Sequence, residues 1–169
     1  MTRLIGEGKT VCLYHASETD LAWITDTEQA PENAPFIIGW SIEKHCEAFN
    51  NPDLVYLMIR EKLTMKLVGF CILAGLTLPH QSLELRRMVI SEKGKGFGRE
   101  ALQVIKKWCF RDHGAHRLWL DVKEQNIRAL TLYQSEGFIR EGILREAVKN
   151  ENQYESLIVM SILESEYIE

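Results

Sequence analysis

The sequence predicts an α/β domain in which helices pack on a mixed β-sheet. Three observations predict it. Strand-like and helix-like stretches alternate through the middle of the chain, hairpin-like runs stand toward both ends, and a glycine-rich loop joins an apolar-rich run to an amphipathic helix. At 169 residues the chain is expected to form one domain spanning 1–169, long enough to bury about two-thirds of its unfolded surface.

From the N-terminus, KTVCLYHA (9–16) alternates like a strand, and SETDLAWITDTEQA (17–30) reads as a helix with Ser17 as its N-cap. PENAPFIIG (31–39), with two prolines and a glycine, is a loop, after which Ser41 caps a second helix through EKHCEAF that stops before NNPD. LVYLMIRE and KLVGFCILAGL, separated by KLTM, form a hairpin, and LELRRMVI (83–90) is a further strand after the turn LPHQ. The helix over 97–113 places Leu102, Ile105, Trp108 and Cys109 on one stripe, with Lys106, Lys107 and Arg111 opposite, before the stop at Gly114. HRLWLDVK alternates as a strand with Leu118, Leu120 and Val122 on one face and Trp119 and Asp121 on the other. NIRALTLYQSEG is a short helix capped by Asn126 and ended by Gly137, and FIREGILREAV and QYESLIVMSIL close the fold as strands. These runs give about seven strands and about four helices.

Composition narrows the function classes. The chain is 46% hydrophobic and 26% charged, ordinary for a soluble globular protein, and no apolar stretch approaches the about 18 residues of a membrane span. The start MTRLIGEGKT has neither an apolar core nor a small-residue cleavage site, so a cytoplasmic location is expected. A formal net charge of −4 argues against a nucleic-acid partner, which would need a broad basic surface. Cys12, Cys46, Cys71 and Cys109 show no CxxC or Cys/His spacing, so no disulfide framework and no metal site is expected. His113 and His116 are separated by a helix-ending Gly114, which makes a metal pair a poor reading.

The stretch SEKGKGFGREA (91–101) carries the chemistry. A strand, a glycine loop and a helix start in that order hold anions, because bare backbone amides and the helix dipole point at the loop. A Rossmann fingerprint needs G-x-G-x-x-G, but from Gly94 and Gly96 the last position is Arg99. The GEGKT at 6–10 imitates the end of a P-loop, yet Arg3 stands where its first glycine belongs and no strand precedes it. By itself the loop also fits a tight turn carrying solvated basic residues.

KGKGFG (93–98) resembles the acyl-CoA loop of the GNAT family of N-acetyltransferases, R/Q-x-x-G-x-G/A, departing from it in Lys93. NIRALTLYQSEGF (126–138) resembles the same family's N-x-x-A-x-x-L-Y-x-x-x-G-F signature at every named position, at a similar separation of about thirty residues. EGILRE, with Gly142 and Arg145, resembles the strand that comes next in the family. The motifs cover roughly 83–163, and the layout looks most like bacterial enzymes that acetylate ribosomal proteins or other protein N-termini, or small amines. The resemblance implies a GNAT fold: a mixed, mostly antiparallel sheet that splays after its fourth strand, LELRRMVI, with acetyl-CoA as cosubstrate and no metal. It implies that Gly94, Gly96, Phe97 and Gly98 bring amides to the pyrophosphate, with charge from Lys93, Lys95 and Arg99. The pantetheine arm would pair with the backbone at Met88, Val89 and Ile90, and a backbone amide near Met88 would polarise the thioester carbonyl.

The resemblance also implies that Asn126, Ala129 and Tyr133, near one helix face, line the arm. Tyr133 is the candidate general acid, since a phenol of pKa about 10 stays protonated and can donate to a thiolate whose thiol lies near 8.5. A half-buried packing aromatic is the plainer reading of the same residue. Glu84 is the candidate general base; strand parity groups it with Arg86, Met88 and Ile90, so an ion pair with Arg86 stands beside that role. Phe36 and Trp40 are expected to wall the acceptor cleft, with a hydrophobic staple as the competing reading. The expectation is acetyl transfer to a primary amine, of a small molecule or a peptide, by direct attack in a ternary complex. A CoA-binding module without transferase activity is the alternative. QYESLIVMSIL is expected as an edge strand along which a second copy could pair.

Overall fold

The computed structural model describes residues 2–169. Its strands are β1 (Leu4–Glu7), β2 (Val11–His15), β3 (Leu54–Glu61), β4 (Leu67–Ala74), β5 (Ser82–Ile90), β6 (Arg117–Lys123), β7 (Ile139–Asn150) and β8 (Gln153–Leu163). They form one sheet of eight strands in the order β1-β2-β3-β4-β5-β6-β8-β7. Neighbours run antiparallel except β5 and β6, which are parallel.

The strand beyond the seven expected is β1, a four-residue LIGE. Glycines at 6 and 8 interrupt its apolar pattern, and its pairing with β2 comes from the turn in which Gly8 N donates to Val11 O at 2.8 Å. A second correction concerns the edge. QYESLIVMSIL is β8, enclosed between β6 and β7, so the open edge belongs to β7.

Four helices cover the sheet: α1 (Leu21–Gln29), α2 (Ile42–Phe49), α3 (Phe97–Lys107) and α4 (Ile127–Ser135). Ser41 caps α2 by accepting from Lys44 N at 3.2 Å, and Asn126 caps α4 by accepting from Ala129 N at 3.2 Å. The run expected as one helix over 97–113 is α-helical to Lys107 and then widens into a π turn over Trp108–Asp112. Among the described residues no helix is long and apolar enough to cross a membrane.

The two faces of the sheet bury separate cores. On one face Leu57, Cys71, Leu83 and Leu118 pack with Leu102 and Ile105 of α3 and Tyr133 of α4. On the other, Tyr56, Met58, Phe70, Ile72 and Val89 pack with Leu21 and Ile24 of α1. At about 25 cal/mol per Å² such apolar burial is the main stabilising term.

Two irregularities in β5 open the sheet and set the direction of its side chains. Against β4, Leu85 pairs with Leu73 but Arg87 pairs with Ile72, so Arg86 is the extra residue of a β-bulge. The bulge inverts the alternation: Leu83 and Leu85 face α3, whereas Arg87 and Val89 face α1, and Met88 and Ile90 turn back toward α3. Glu84 therefore lies on the face opposite Met88 and Ile90, which corrects the parity read from the sequence. Against β6, only Ser82, Leu83 and Glu84 pair, with Arg117, Leu118 and Trp119, and beyond them the strands part. The splay falls after LELRRMVI, which the added β1 makes the fifth strand.

Candidate active site

A cleft of about 710 Å³ opens where β5 and β6 separate. Its walls come from both layers: the 92–99 loop and α4 on one side, the α1–α2 loop on the other, with the free edge of β5 between them.

The loop after β5 is built to present amides. Gly94 and Gly96 have φ of +83° and +81°, a left-handed region that favours glycine, and Gly96 is the residue before α3. A Cβ built at either meets nothing within 4 Å, so open space lies beside the backbone. Among the described residues none of the backbone amides of 94–99 donates a hydrogen bond within the protein. Those donors, at the positive end of α3, suit a phosphate-rich ligand.

The three basic side chains at the loop are held by the protein. Lys93 Nζ donates to Asn33 Oδ1, and burial pulls its pKa down. Lys95 Nζ donates to Glu92 Oε2 at 2.7 Å and stands off the cleft. Hydrogen bonds from Lys66 and Lys95 lower the Glu92 pKa to about 2. Arg99, which lines the cleft, donates from Nη1 to Ser135 Oγ at 2.9 Å and to Glu136 Oε1 at 2.6 Å. Backbone amides are thus the donors the loop holds ready.

Past Glu84 the β6-facing edge of β5 is unpaired, and Met88, Val89 and Ile90 all line the cleft. An extended ligand arm can add to that edge as a strand would. Across from it stand Asn126, Ala129 and Tyr133. The Asn126 carbonyl oxygen is used in the cap of α4, which leaves its amide NH₂ as a donor. Tyr133 is buried, its ring 5.6 Å from that of Phe138, and its hydroxyl makes no hydrogen bond among the described residues. Burial, and secondarily the Cys71 thiol, raise its pKa, so the phenol is neutral at physiological pH.

The acceptor side differs more from expectation. Glu84 accepts from Arg86 Nε at 3.2 Å and Nη2 at 2.8 Å, and it does not line the cleft. Phe36 lines the cleft and Trp40 does not. The Trp40 ring lies 5.4 Å from that of His45 and 5.0 Å from the Arg87 guanidinium, over a buried polar cluster. At its centre Glu28 accepts from His45 and Arg87, while His45 Nδ1 is 3.0 Å from the Tyr56 hydroxyl. Burial opposes ionisation of Glu28, yet the bonds from His45 and Arg87 hold its pKa below the ordinary value. Burial and the Glu28 charge push Tyr56 up to about 12. Arg87 Nη2 also donates to Ile38 O at 2.9 Å, and Lys123 Nζ donates to Pro35 O at 2.9 Å, so two cations pin the α1–α2 loop against the cleft.

Sequence reasoning missed Asn33, Arg87 and Lys123 as supports of the site. Each is polar at a position where the local pattern gives no sign of a partner 49 to 88 residues away. It also passed over Asp121, which lines the cleft from β6.

The chain matches the acetyltransferase (GNAT) family over residues 19–138. It is 30% identical over 143 residues to the spermidine N(1)-acetyltransferase of Vibrio cholerae, covering 78% of this chain and 83% of that protein. It is 26% identical over 150 residues to the uncharacterized N-acetyltransferase p20 of Bacillus licheniformis, covering 85% of this chain and 76% of that one. Among solved structures, the Vibrio cholerae spermidine N-acetyltransferase in complex with CoA and spermine superposes with a TM-score of 0.83 at 22% identity, over 94% of this chain and 98% of that chain. A dodecameric structure of the Vibrio cholerae enzyme in an intermediate state gives 0.81 at 23% identity, over 95% of this chain and 98% of that chain.

Proposed function

The chain belongs to the acetyltransferase (GNAT) family and is an acetyl-CoA-dependent N-acetyltransferase, and on that premise we propose that it acetylates a primary amine of a small aliphatic molecule by direct attack in a ternary complex. One observation carries the reading: the cleft between β5 and β6 has walls from both layers, so a donor along the free edge of β5 and an acceptor under the α1–α2 loop meet in one space. The acceptor wall offers Phe36, Ile37 and Ile38 to an alkyl chain and the carboxylate of Glu32 to its charge. The similarity to a spermidine N(1)-acetyltransferase supports a polyamine-like acceptor.

The work is divided among several elements. The amides of 94–99 hold the phosphates, and β5 binds the pantetheine arm through its unpaired edge. A backbone amide near Met88 stabilises negative charge on the thioester oxygen. Tyr133, neutral and without a hydrogen-bond partner among the described residues, gives its proton to the departing thiolate. The dodecameric relative supports self-association here as well, through the open edge of β7, where Ile139, Ile143 and Leu144 are exposed.

Thiol release from acetyl-CoA, followed over polyamines, aminoglycosides, amino acids and N-terminal peptides, tests the acceptor. Turnover with polyamines and intersecting initial-rate lines are expected. Turnover confined to peptides overturns the small-amine acceptor, and parallel lines overturn the ternary complex. Tight acetyl-CoA binding without any turnover returns the reading to a binding module.

A further inference from the structure

We infer that Asp121, at the mouth of the β5–β6 gap, is the base that removes a proton from the acceptor ammonium and so makes its nitrogen nucleophilic. The inference rests on the reading of the chain as a small-amine acetyltransferase.

Its placement comes from the splay. Glu84 and Trp119 are the last residues that β5 and β6 pair, and Asp121 lies two residues beyond Trp119 on the same face of β6. Leu118, Leu120 and Val122 on the opposite face are buried in the core under α3 and α4, so Asp121 projects to the α1 side, where the acceptor loop lies. Its carboxylate is exposed to the cleft and accepts no hydrogen bond among the described residues.

The surrounding charges explain why this carboxylate is available. From β5 it is faced by Glu84, Arg86 and Arg87, and Lys123 lies two residues further along its own strand. Arg86 is held by Glu84, Arg87 by Glu28, and Lys123 by Glu155 of β8 at 2.8 Å. Each cation close to Asp121 thus already has a carboxylate, and the charge of Asp121 is left to meet one that arrives with a substrate. Withdrawal from water, then the neighbouring Glu84, raise its pKa, while Arg86 and Arg87 offset part of that rise. A carboxylate so raised is a stronger base than a free one.

The step balances. Asp121 takes one proton from the ammonium, the freed lone pair attacks the thioester carbonyl carbon, and a C–N bond forms. The C–S bond then breaks as Tyr133 protonates the sulfur, and the second nitrogen proton restores the phenol. Asp121 releases its proton to solvent through the open mouth of the cleft, giving amide, free thiol and one proton. The two proton-transfer groups stand on opposite faces of the gap, Asp121 toward α1 and Tyr133 toward α4, so the amine can enter where the thiol does not leave.

The test is the pH profile of kcat, at saturating spermidine and acetyl-CoA, for the wild type, Asp121→Asn, Asp121→Glu and Glu84→Gln. Asp121 is exposed and Asn is isosteric, so melting temperature and the acetyl-CoA dissociation constant should stay at wild-type values. In the wild type kcat should fall on acidification through a pKa above the ordinary carboxylate value of about 4. Asp121→Asn should lose about 10²- to 10⁴-fold in kcat at neutral pH, recover as rising pH supplies free amine, and be partly rescued in Asp121→Glu. A raised KM alone, with kcat and its acidic limb intact, overturns the base and leaves an ammonium anchor. Loss of the acidic limb in Glu84→Gln, with the limb kept in Asp121→Asn, also overturns it. A wild type that releases no thiol with any small amine overturns the acceptor reading together with the base, whereas turnover with an unaltered Asp121→Asn profile overturns the base alone.

Discussion

Tyr133→Phe removes one oxygen and keeps the rest of the side chain, and the structure predicts that stability and catalysis respond very differently. The ring is buried against Phe138 and the α3-side core, so Phe retains its apolar burial. Among the described residues the hydroxyl makes no hydrogen bond to lose, so the expected change in stability is under about 0.5 kcal/mol. At about 2–4 °C per kcal/mol for a domain of this size, melting should move by no more than about 2 °C. The catalytic loss is that of a general acid, about 10²- to 10⁴-fold in kcat, or about 2.7–5.4 kcal/mol of barrier. Steady-state thiol release, thermal melting and calorimetric titration with acetyl-CoA measure activity, stability and cosubstrate affinity on one preparation. A variant that keeps kcat within about threefold would show that the thiolate leaves without the phenol. A variant that loses many degrees of melting temperature would show that the hydroxyl has a structural partner, and the reasoning from its isolation would fail.

Other perturbations probe the rest of the cleft. Gly96→Ala places a side chain at φ +81°, costing about 1–2 kcal/mol, and its Cβ enters the open space beside the loop; acetyl-CoA affinity should fall at least about tenfold, and unchanged affinity would detach the loop from the phosphates. Asn126→Ala removes the α4 cap and should lower melting by about 2–4 °C, the equivalent of about 1 kcal/mol; no shift would mean that the cap is dispensable. Arg87→Met leaves Glu28 buried with His45 alone and should cost about 3–5 kcal/mol by thermal or urea unfolding. Because Glu28 has a depressed pKa, its contribution is present above the unfolded carboxylate value of about 4.3 and is lost as pH falls through the lower folded value. In Arg87→Met that acid loss should begin at higher pH, and an unmoved acid limb would show that Arg87 does not hold the charge. Sedimentation of the full chain should give a species larger than one copy that Ile143→Lys dissociates, and a monomer would exclude assembly through β7.

Elements are legible in the sequence wherever one period runs uninterrupted. KLVGFCILAGL, HRLWLDVK and the stripe Leu102, Ile105, Trp108 and Cys109 each declare their type, and Ser41 and Asn126 cap the helices assigned to them. The glycine loop and NIRALTLYQSEGF are legible as family motifs because their residues recur at a fixed spacing, which a sequence states directly. Legibility fails where one residue shifts a phase or a distant partner decides. Nothing in LELRRMVI marks Arg86 as a bulge, since the register is set by β4, and so strand parity misplaces Glu84. That Lys93 meets Asn33 is not legible, because Asn33 lies 60 positions earlier in the chain. Trp40 looks like a cleft wall because the buried Glu28–His45–Arg87 cluster that captures it is dispersed over three elements. The alternation of HRLWLDVK puts Asp121 on the correct face, but that neighbouring cations are already neutralised is a property of the assembled fold.

The parting of β5 and β6 has a consequence for the life of the molecule. Three residue pairs stitch the strands from β1 to β5 to the remaining three, and past that short seam the β6-facing edge of β5 is unzipped. On the proposed binding mode, a cosubstrate laid in the gap would supply the missing rungs and so act as a suture between two half-sheets. Ligand at a hundredfold excess over its dissociation constant adds about 2.7 kcal/mol against unfolding, and amides along β5 and β6 should gain the most protection from hydrogen exchange. Proteases act on the opened chain, so the enzyme's persistence in a cell should track the supply of acetyl-CoA, and starvation for the donor would thin the enzyme pool as well as idle it.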